Sequence, residues 1–264
     1  MDKISIVGGF STSASSYTNT DVETTHKTNI KFWDTIGSDI LGTTALPKYG
    51  GFMSEDKLHL FGNVSNKRVL EIGCGNGHSL KYVSDIGADE LWGLDISPEQ
   101  VKRTQNYLLS KNINAKIICS PMENDCKIPS DYFDIVYAVY SIGWTTDLNK
   151  TFNKVYSYLK KGGIFIFSWS HPIHKCVSLE NNQLVFLNSY FDESWYSFSL
   201  GDEKIMLSNR MLSTYINALS SNGFMIEQLI EENDSELLNE SKDTDISKKA
   251  QMLPVTFIIK ARKI

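Results

Sequence analysis

The sequence predicts an α/β fold in which a mostly parallel sheet is covered by helices on both faces. Short apolar runs, which are typical of buried strands, alternate with longer stretches of helical periodicity between residues 67 and 170. Strands that are joined by helices form a parallel sheet, because each helix carries the chain back to the same edge. Strands are predicted near residues 67–72, 91–95, 115–119, 133–139 and 163–169, and helices near 77–86, 98–110 and 147–160.

The chain before this alternating core is predicted to form an N-terminal helical lid, residues 1–60, over the edge of the sheet. Residues 8–28 are rich in Gly, Ser, Thr and Asn, and we expect them to be mobile. Residues 29–41 carry apolar side chains at helical spacing, which predicts an amphipathic helix. Residues 61–264 are then expected to form the larger unit, a single α/β domain.

The alternation of strands and helices breaks after the fifth predicted strand. Residues 171–208 are rich in aromatic side chains without clear periodicity, and we expect them to form an inserted cap. A helix near 209–221 ends at an Asn-Gly pair, which is typical of a helix C-cap. Two further strands, near 224–230 and 255–261, are predicted to form an antiparallel final hairpin that completes a seven-stranded sheet.

A glycine-rich turn follows the first buried strand of the core. Gly73, Gly75 and Gly77 allow the backbone to approach a ligand closely, and the helix that follows offers free N–H groups at its start. The next strand ends at Asp95, where a carboxylate can accept hydrogen bonds from a ribose diol. These two strand ends together predict a pocket for a ligand that contains adenosine.

The spacing of this turn argues against a dinucleotide. The dinucleotide fingerprint has a third glycine where this chain has His78, so the helix and the strand cannot pack as that motif requires. Glu71, two residues before the first glycine, would repel a pyrophosphate and would suit an ammonium or sulfonium group. The arrangement resembles motif I of the class I S-adenosylmethionine-dependent methyltransferases.

The resemblance extends over roughly residues 60–170. Ser120–Glu123, Asp131–Tyr140 and Leu159–Phe167 match later segments of these enzymes, and the chain most resembles the small-molecule branch that includes ubiquinone/menaquinone-biosynthesis-type methyltransferases. The resemblance implies a Rossmann-like sheet and S-adenosyl-L-methionine as cofactor. It also implies the cofactor-binding residues, which are Glu71, Gly73, Cys74, Gly75, Asn76, Gly77, Asp95, Ile96, Met122, Glu123 and Val139.

Residues on the acceptor side are expected at the carboxyl ends of the strands and in the covering segments. Transfer to a hydroxyl generally needs a proton acceptor, whereas a neutral amine can attack unaided. His171 and Tyr140 are the predicted catalytic residues, although His171 would equally fit a role in bonding local backbone. The predicted substrate-binding residues are Tyr17, Trp33, Tyr49, Ser141, Trp144, Tyr190 and Trp195. Of these, Trp33, Tyr49, Tyr190 and Trp195 would alternatively only pack the cap onto the sheet.

Composition limits the classes of partner. The chain of 264 residues has a formal net charge of −5 with scattered basic residues, which argues against a nucleic-acid partner. It has no apolar run long enough for a membrane span and no metal-ligand spacing. We therefore expect a cytoplasmic protein, a monomer or homodimer, and the resemblance implies that it methylates a nitrogen or oxygen atom of a small molecule. The alternatives are an S-adenosylmethionine-binding module without turnover, a nicotinamide-dependent oxidoreductase, and a methyltransferase acting on RNA or protein.

Overall fold

The computed structural model describes residues 21–35, 46–200, 202–241 and 244–264. It contains a central seven-stranded sheet and three antiparallel strand pairs. The strands of the central sheet are β3 (Arg68–Ile72), β4 (Glu90–Asp95), β5 (Ala115–Cys119), β6 (Phe133–Ala138), β7 (Leu159–Ser170), β12 (Phe224–Ile230) and β13 (Thr256–Lys263). The paired strands are β1 (Lys48–Gly50) with β2 (Met53–Ser54), β8 (Val177–Glu180) with β9 (Gln183–Phe186), and β10 (Trp195–Leu200) with β11 (Glu203–Ser208).

Helices and strands alternate in the middle of the chain but not towards its ends. The helices are α1 (Val22–Thr35), α2 (Glu55–Leu58), α3 (His78–Asp85), α4 (Pro98–Ser110), α5 (Leu148–Tyr158), α6 (Pro172–Cys176), α7 (Leu212–Ser221), α8 (Ser235–Glu240) and α9 (Asp245–Ala250), with a 3-10 turn at Ile142–Trp144. The start of α4 agrees with its sequence, because Ser97 caps the helix and Pro98 occupies its first turn.

The central sheet has the predicted topology. Its strand order is β12-β13-β7-β6-β3-β4-β5, in which the five strands from β3 to β7 run parallel. Strand β13 is antiparallel to both β7 and β12, so the predicted antiparallel hairpin is confirmed. The chain order reverses between β3 and β6, and such a reversal opens a crevice at the carboxyl ends of the strands.

Successive residues of the central strands point to opposite faces of the sheet and build a hydrophobic core on each face. Val136 and Phe167 belong to one core, whereas Tyr137 and Ile166 belong to the other. All four side chains are completely buried. Because helices cover both faces, these strands have the almost continuous apolar sequences from which they were predicted.

The structure differs from the sequence prediction mainly at the two covering segments. The N-terminal helix α1 begins at Val22, within the segment that we expected to be mobile, and residues 36–41 of the predicted helix lie outside the described residues. The cap consists of α6 and two hairpins, β8–β9 and β10–β11. In β10 the neighbouring residues Tyr196 and Ser197 are both buried, so the strand lacks the alternation that identifies a half-exposed strand.

Helix α1 is fixed to the cap through one buried amide. The side chain of Asn29 donates a hydrogen bond of 2.8 Å to the carbonyl of Met206 and accepts one of 2.9 Å from its amide. Both backbone groups of this β11 residue are thereby satisfied, as a buried strand edge requires. The predicted N-terminal helix therefore packs directly on the predicted cap.

Truncation of Phe167 in the hydrophobic core should cause a large loss of stability. Phe167 is fully buried and packs against Phe152, Phe165 and Phe257. Phe167→Ala should lower the free energy of unfolding by about 3–5 kcal/mol, measured by urea unfolding. The control is Phe191→Ala, because Phe191 is 80% exposed and its truncation should change stability by no more than about 0.5 kcal/mol. Equal effects of the two substitutions would contradict the assignment of this core.

Candidate functional site

A cavity of about 290 Å³ lies at the carboxyl ends of β3, β4 and β6. The glycine-rich turn after β3, the ends of β4 and β6, and helix α1 supply its walls. Its size approaches that of pockets that bind small ligands, and it lies at the predicted crevice. The cavity is the candidate site.

The turn after β3 depends on Gly73. Its backbone has a φ of +73°, and a Cβ atom there would come within 2.3 Å of the Cβ atom of Ser141. Ser141 in turn donates a hydrogen bond of 2.5 Å from its Oγ to the carbonyl of Ile72. Only glycine avoids both the unfavourable φ and the collision, so this turn can lie directly against the end of β6.

Asp95 connects the glycine-rich turn to the loop after β4. One carboxylate oxygen accepts a 2.9 Å hydrogen bond from the amide of Gly75, and the other accepts one of 2.9 Å from the amide of Ser97. Desolvation by burial raises the pKa of this carboxyl above the ordinary value, although the two backbone hydrogen bonds lower it. Each oxygen has a further lone pair, with which it can accept a hydrogen bond from a ligand.

Glu71 lies in the same cavity, and the pKa of its carboxyl is raised more strongly than that of Asp95. Desolvation by burial raises the pKa of its carboxyl to about 8, against the lowering effect of side-chain hydrogen bonds from Tyr137 and Ser79. Its Oε2 atom is buried and has no hydrogen-bond partner among the described residues. A cationic group of a ligand would lower this pKa and provide the missing partner.

Other polar groups at this end of the cavity also lack partners. In the described part of the chain, neither the Oδ1 nor the Nδ2 atom of Asn76 has a hydrogen-bond partner, and the Oε1 atom of Gln100 has none. Buried polar atoms in folded proteins are nearly always hydrogen-bonded. These unpartnered groups therefore fit a polar ligand at the glycine-rich turn.

Helix α1 forms the wall opposite the turn. His26, Asn29 and Trp33 line the cavity from one helical face. The Nε2 atom of His26 lies 2.8 Å from a carboxylate oxygen of Glu123, and Gln100 donates a 2.9 Å hydrogen bond to the carbonyl of Trp33. Sequence analysis missed His26 because the first residues of α1 were assigned to a mobile segment, although their spacing already places them on the face that carries Trp33.

An aromatic wall, formed by Trp33, Tyr140, Trp144 and Trp169, also lines the cavity. Ring centroids lie 4.9 Å apart for Trp33 and Trp144, 6.2 Å apart for Trp144 and Trp169, and 5.4 Å apart for Tyr140 and Trp169. Gly143 admits the indole of Trp169, since a Cβ atom there would lie 1.8 Å from it. The cavity lining thus combines buried polar groups with aromatic rings.

Tyr140 reaches this wall through an unusual backbone. Its φ is +55°, a region that residues other than glycine seldom adopt. The amide of Tyr140 donates a 3.1 Å hydrogen bond to the Oγ of Ser168, and its hydroxyl lies 3.1 Å from the Oγ of Ser170. Such local strain is typical of functional positions that the surrounding structure holds in place.

The structure brings most of the predicted site residues to this cavity. Tyr17 lies outside the described residues. Gly77 lies outside the lining and serves as the N-cap of α3. The predicted residues that line the cavity are Glu71, Gly73, Cys74, Gly75, Asn76, Asp95, Ile96, Met122, Glu123 and Val139 for the cofactor, and Trp33, Tyr140, Ser141 and Trp144 for the acceptor side.

Four predicted acceptor-side residues lie away from the cavity lining. His171 caps α6, where its Nδ1 accepts from the amide of Ile173 and its Nε2 lies 2.6 Å from Glu231, so both ring nitrogens are engaged. This position favours the alternative that His171 bonds local structure, and its catalytic role stays a prediction. The other three are Tyr49, which is fully buried beside Glu55, Tyr190 and Trp195.

The described residues contain no group of three or more His, Cys, Asp or Glu side chains that could hold a metal ion. No helix within the described ranges combines the length and the apolar character needed to cross a membrane.

Comparison with known proteins identifies the family. The profile of a family described as "Methyltransferase domain" matches residues 48–224, which include the glycine-rich turn, Asp95 and the aromatic wall except Trp33. The chain belongs to this methyltransferase family. It is an enzyme of the class I fold, and S-adenosylmethionine is its cofactor. The partnerless polar groups of Glu71 and Asn76 fit this cofactor, since it carries an ammonium, a carboxylate and a sulfonium group.

Individual proteins resemble the methyltransferase over different lengths. A crystal structure from Listeria monocytogenes, assigned to the S-adenosylmethionine-dependent methyltransferases, has a TM-score of 0.66 and 25% identity, and the match covers 80% of this chain and 96% of that one. An uncharacterized protein of Haemophilus influenzae is 25% identical over 78% of this chain and 85% of its own length. Malonyl-[acyl-carrier protein] O-methyltransferase 1 of Ilyobacter polytropus is 34% identical, but the match spans only 43% of this chain and 42% of that protein.

The first test of the methyltransferase site is Asp95→Ala. Loss of the carboxylate removes its hydrogen bonds to the ligand, and affinity for S-adenosylhomocysteine should fall about ten- to hundredfold, equivalent to about 1.4–2.7 kcal/mol. Calorimetric titration measures this change, and circular dichroism checks that the variant is folded. The exposed residue Asp89 provides the control, since Asp89→Ala should bind normally. Unchanged affinity in a folded Asp95→Ala protein would remove Asp95 from the site.

The raised pKa of Glu71 predicts that the stability of the protein depends on pH. Its pKa of about 8 in the folded protein exceeds its ordinary value of 4.5, so the folded state retains a proton that the unfolded state has lost. The stability that this proton contributes is fully present below about pH 4.5 and is lost as the pH rises through about 8. Glu71→Gln cannot titrate, and wild-type stability should therefore fall relative to that of the variant over this range.

Urea unfolding of both proteins without ligand, at several values between about pH 5 and about pH 8, measures this difference. A free-energy difference between wild type and Glu71→Gln that stays constant with pH would show that Glu71 is ionised throughout.

Proposed function

We propose that the methyltransferase transfers a methyl group to a nitrogen or oxygen atom of a small acceptor with a largely apolar body. The aromatic wall carries this proposal, because its rings line the same cavity as the glycine-rich turn. Rings of tryptophan and tyrosine provide a broad apolar surface with few hydrogen-bonding groups. They suit a compact, flat or apolar molecule better than a charged polymer.

The residues of this chain position the reactants and exclude water. When it is bound, S-adenosylmethionine supplies a methyl group that its sulfonium already activates. Glu71, Asp95 and the turn would hold this cofactor in the cavity. Trp33 on α1 and Trp144 after β6 would hold the acceptor against the aromatic wall and keep solvent away, so that the reacting atoms meet in line.

Tyr140 is the proposed catalytic residue of the acceptor side. Its hydroxyl lies at the cavity wall and is linked to Ser170, so it can accept a hydrogen bond from an acceptor hydroxyl or donate one to it. The O-methyltransferase from Ilyobacter polytropus supports an oxygen acceptor, since its name states transfer to oxygen. An amine acceptor would need only the positioning.

Helix α1 supports the proposal of a lid. We propose that residues 1–60 cover the site and that residues 61–264 form the catalytic domain with its cap. Asp34 at the end of α1 accepts a 2.5 Å hydrogen bond from the hydroxyl of Ser97, next to the loop that Asp95 holds. The lid and the cofactor loops therefore share contacts. From composition we further propose a cytoplasmic monomer or homodimer without a nucleic-acid or membrane partner.

Incubation with methyl-labelled S-adenosylmethionine and a metabolite extract tests the proposed function. We expect one or a few labelled small molecules, which chromatography and mass spectrometry identify. Asp95→Ala should give much less product at subsaturating donor, whereas the control variant Asp89→Ala should match wild type. Label that appears only in RNA or protein fractions, or binding of S-adenosylhomocysteine without any labelled product, would overturn the proposal in favour of the corresponding alternative.

The identified acceptor then permits a test of Tyr140. Tyr140→Phe should bind S-adenosylhomocysteine within about threefold of wild type, because the hydroxyl lies on the acceptor side, yet lower kcat about tenfold or more with an oxygen acceptor. Tyr107→Phe is the matched control, because Tyr107 packs on His78 and its ring remains. Unchanged kcat in Tyr140→Phe would leave the tyrosine as a wall residue only.

A further inference from the structure

A second, smaller cavity lies on the other side of Trp169. Its volume is about 40 Å³, which is room for about three water molecules or one small ionic group. Trp169 lines both cavities. The hydroxyl of Tyr140, in the first cavity, lies 3.1 Å from the Oγ of Ser170, which lines the second. The two spaces are therefore neighbours that share one aromatic partition.

Lys175 places a positive charge in this second cavity. Its ammonium donates a 3.1 Å hydrogen bond to the hydroxyl of Tyr196 and lies 5.6 Å from the centre of the Trp169 ring. Within the described ranges no carboxylate lies close enough to form an ion pair with it. An ammonium has three N–H donors, so two are available to a ligand. Charge in such surroundings is costly unless it is paired.

Arg210 adds a second cation to the lining. Its guanidinium donates to two main-chain carbonyls, at 3.3 Å to Gly143 and at 2.6 Å to Thr145. These bonds fix the side chain in place, and no carboxylate of the described residues forms an ion pair with it. Asp192 is the acidic member of the lining, where it accepts a 2.9 Å hydrogen bond from the amide of Ser194. The lining therefore combines two cations with one carboxylate.

Ser208 provides an independent indication of a ligand. Its side chain is only 5% exposed, lines the second cavity, and has an Oγ atom without a hydrogen-bond partner in the described part of the chain. A buried hydroxyl without a partner costs free energy, which a bound polar group would recover. Together with Lys175, this hydroxyl could donate to oxygen atoms of one small group.

We propose that the second cavity binds an anionic group of the acceptor, a carboxylate or a phosphate, while the methyl-accepting atom lies in the first cavity. This inference rests on the proposed function and narrows it to acceptors that carry an apolar body and a negative charge. The Lys175 ammonium supplies the main attraction, and Ser208 supplies a hydrogen bond to the same group. The apolar body of the acceptor would lie against Trp169, which lines both cavities.

Anion binding can be measured without knowing the acceptor. The protein is loaded with S-adenosylhomocysteine, and tryptophan fluorescence is followed during titration with acetate and with inorganic phosphate at constant ionic strength. We expect a saturable change in fluorescence for at least one of the two anions in wild type. The anion that binds more tightly identifies whether the cavity prefers a carboxylate or a phosphate. Lys175→Gln should weaken this binding about tenfold or more, whereas Lys175→Arg should retain it.

The matched control is Lys102→Gln, since Lys102 lies exposed on α4, away from either cavity. It should titrate like wild type. An unchanged midpoint in folded Lys175→Gln, or the absence of any saturable change in wild type, would overturn the proposal.

The labelled-extract assay separates this inference from the proposed function. The proposed function and the anion site are both supported if the labelled acceptor is retained by an anion-exchange resin and its KM rises in Lys175→Gln. A neutral or cationic labelled acceptor overturns the anion site and leaves methyl transfer established. Failure to label any small molecule overturns the proposed function, and in that case the fluorescence titration alone decides whether the second cavity binds anions.

Discussion

The carboxylate of Asp95 holds together the two loops on which the donor end of the site depends. It joins the amide of Gly75 to the amide of Ser97, and Ser97 in turn bonds Asp34 of the N-terminal helix. Three separate segments therefore meet at one buried acid. Because the bonds run to main-chain amides, they fix the positions of the backbone as well as those of side chains.

This arrangement buries two acids whose charged forms are disfavoured by desolvation. Glu71 and Asp95 are both buried at the carboxyl ends of adjacent strands, and burial raises the pKa of each. No ion pair within the described residues includes either acid. A cofactor with ammonium and sulfonium groups offers the compensating charge, so the binding energy of the donor and the electrostatic cost of the free site are linked.

The part of the site proposed for the acceptor is built from packed aromatic rings rather than from buried acids. Gly143 lets the indole of Trp169 lie flat against the chain after β6, and the positive φ of Tyr140 turns its ring to the same wall. The result is an aromatic partition between a large cavity and a small cationic one. In the proposed acceptor complex, shape and apolar contact would select the body of the acceptor, and Lys175 would select its charge.

The sequence by itself determined the sheet, its helices and the donor loop. Buried parallel strands have continuous apolar runs, and the glycine turn with Glu71 and Asp95 is a local pattern, so both could be predicted from neighbouring residues. The β10–β11 hairpin could not, because Tyr196 and Ser197 are buried on opposite sides by elements that are distant in sequence.

The acceptor side was decided only by tertiary structure. His171 had a suitable position after a strand, but its ring is engaged by Ile173 and by Glu231, which follows β12. His26 was predicted to lie in a mobile segment, yet the packing of α1 brings it to Glu123. Lys175 likewise meets the hydroxyl of Tyr196 in β10 only through the folding of the cap. Contacts between segments far apart in the chain are set by packing, and no local pattern of residues encodes them.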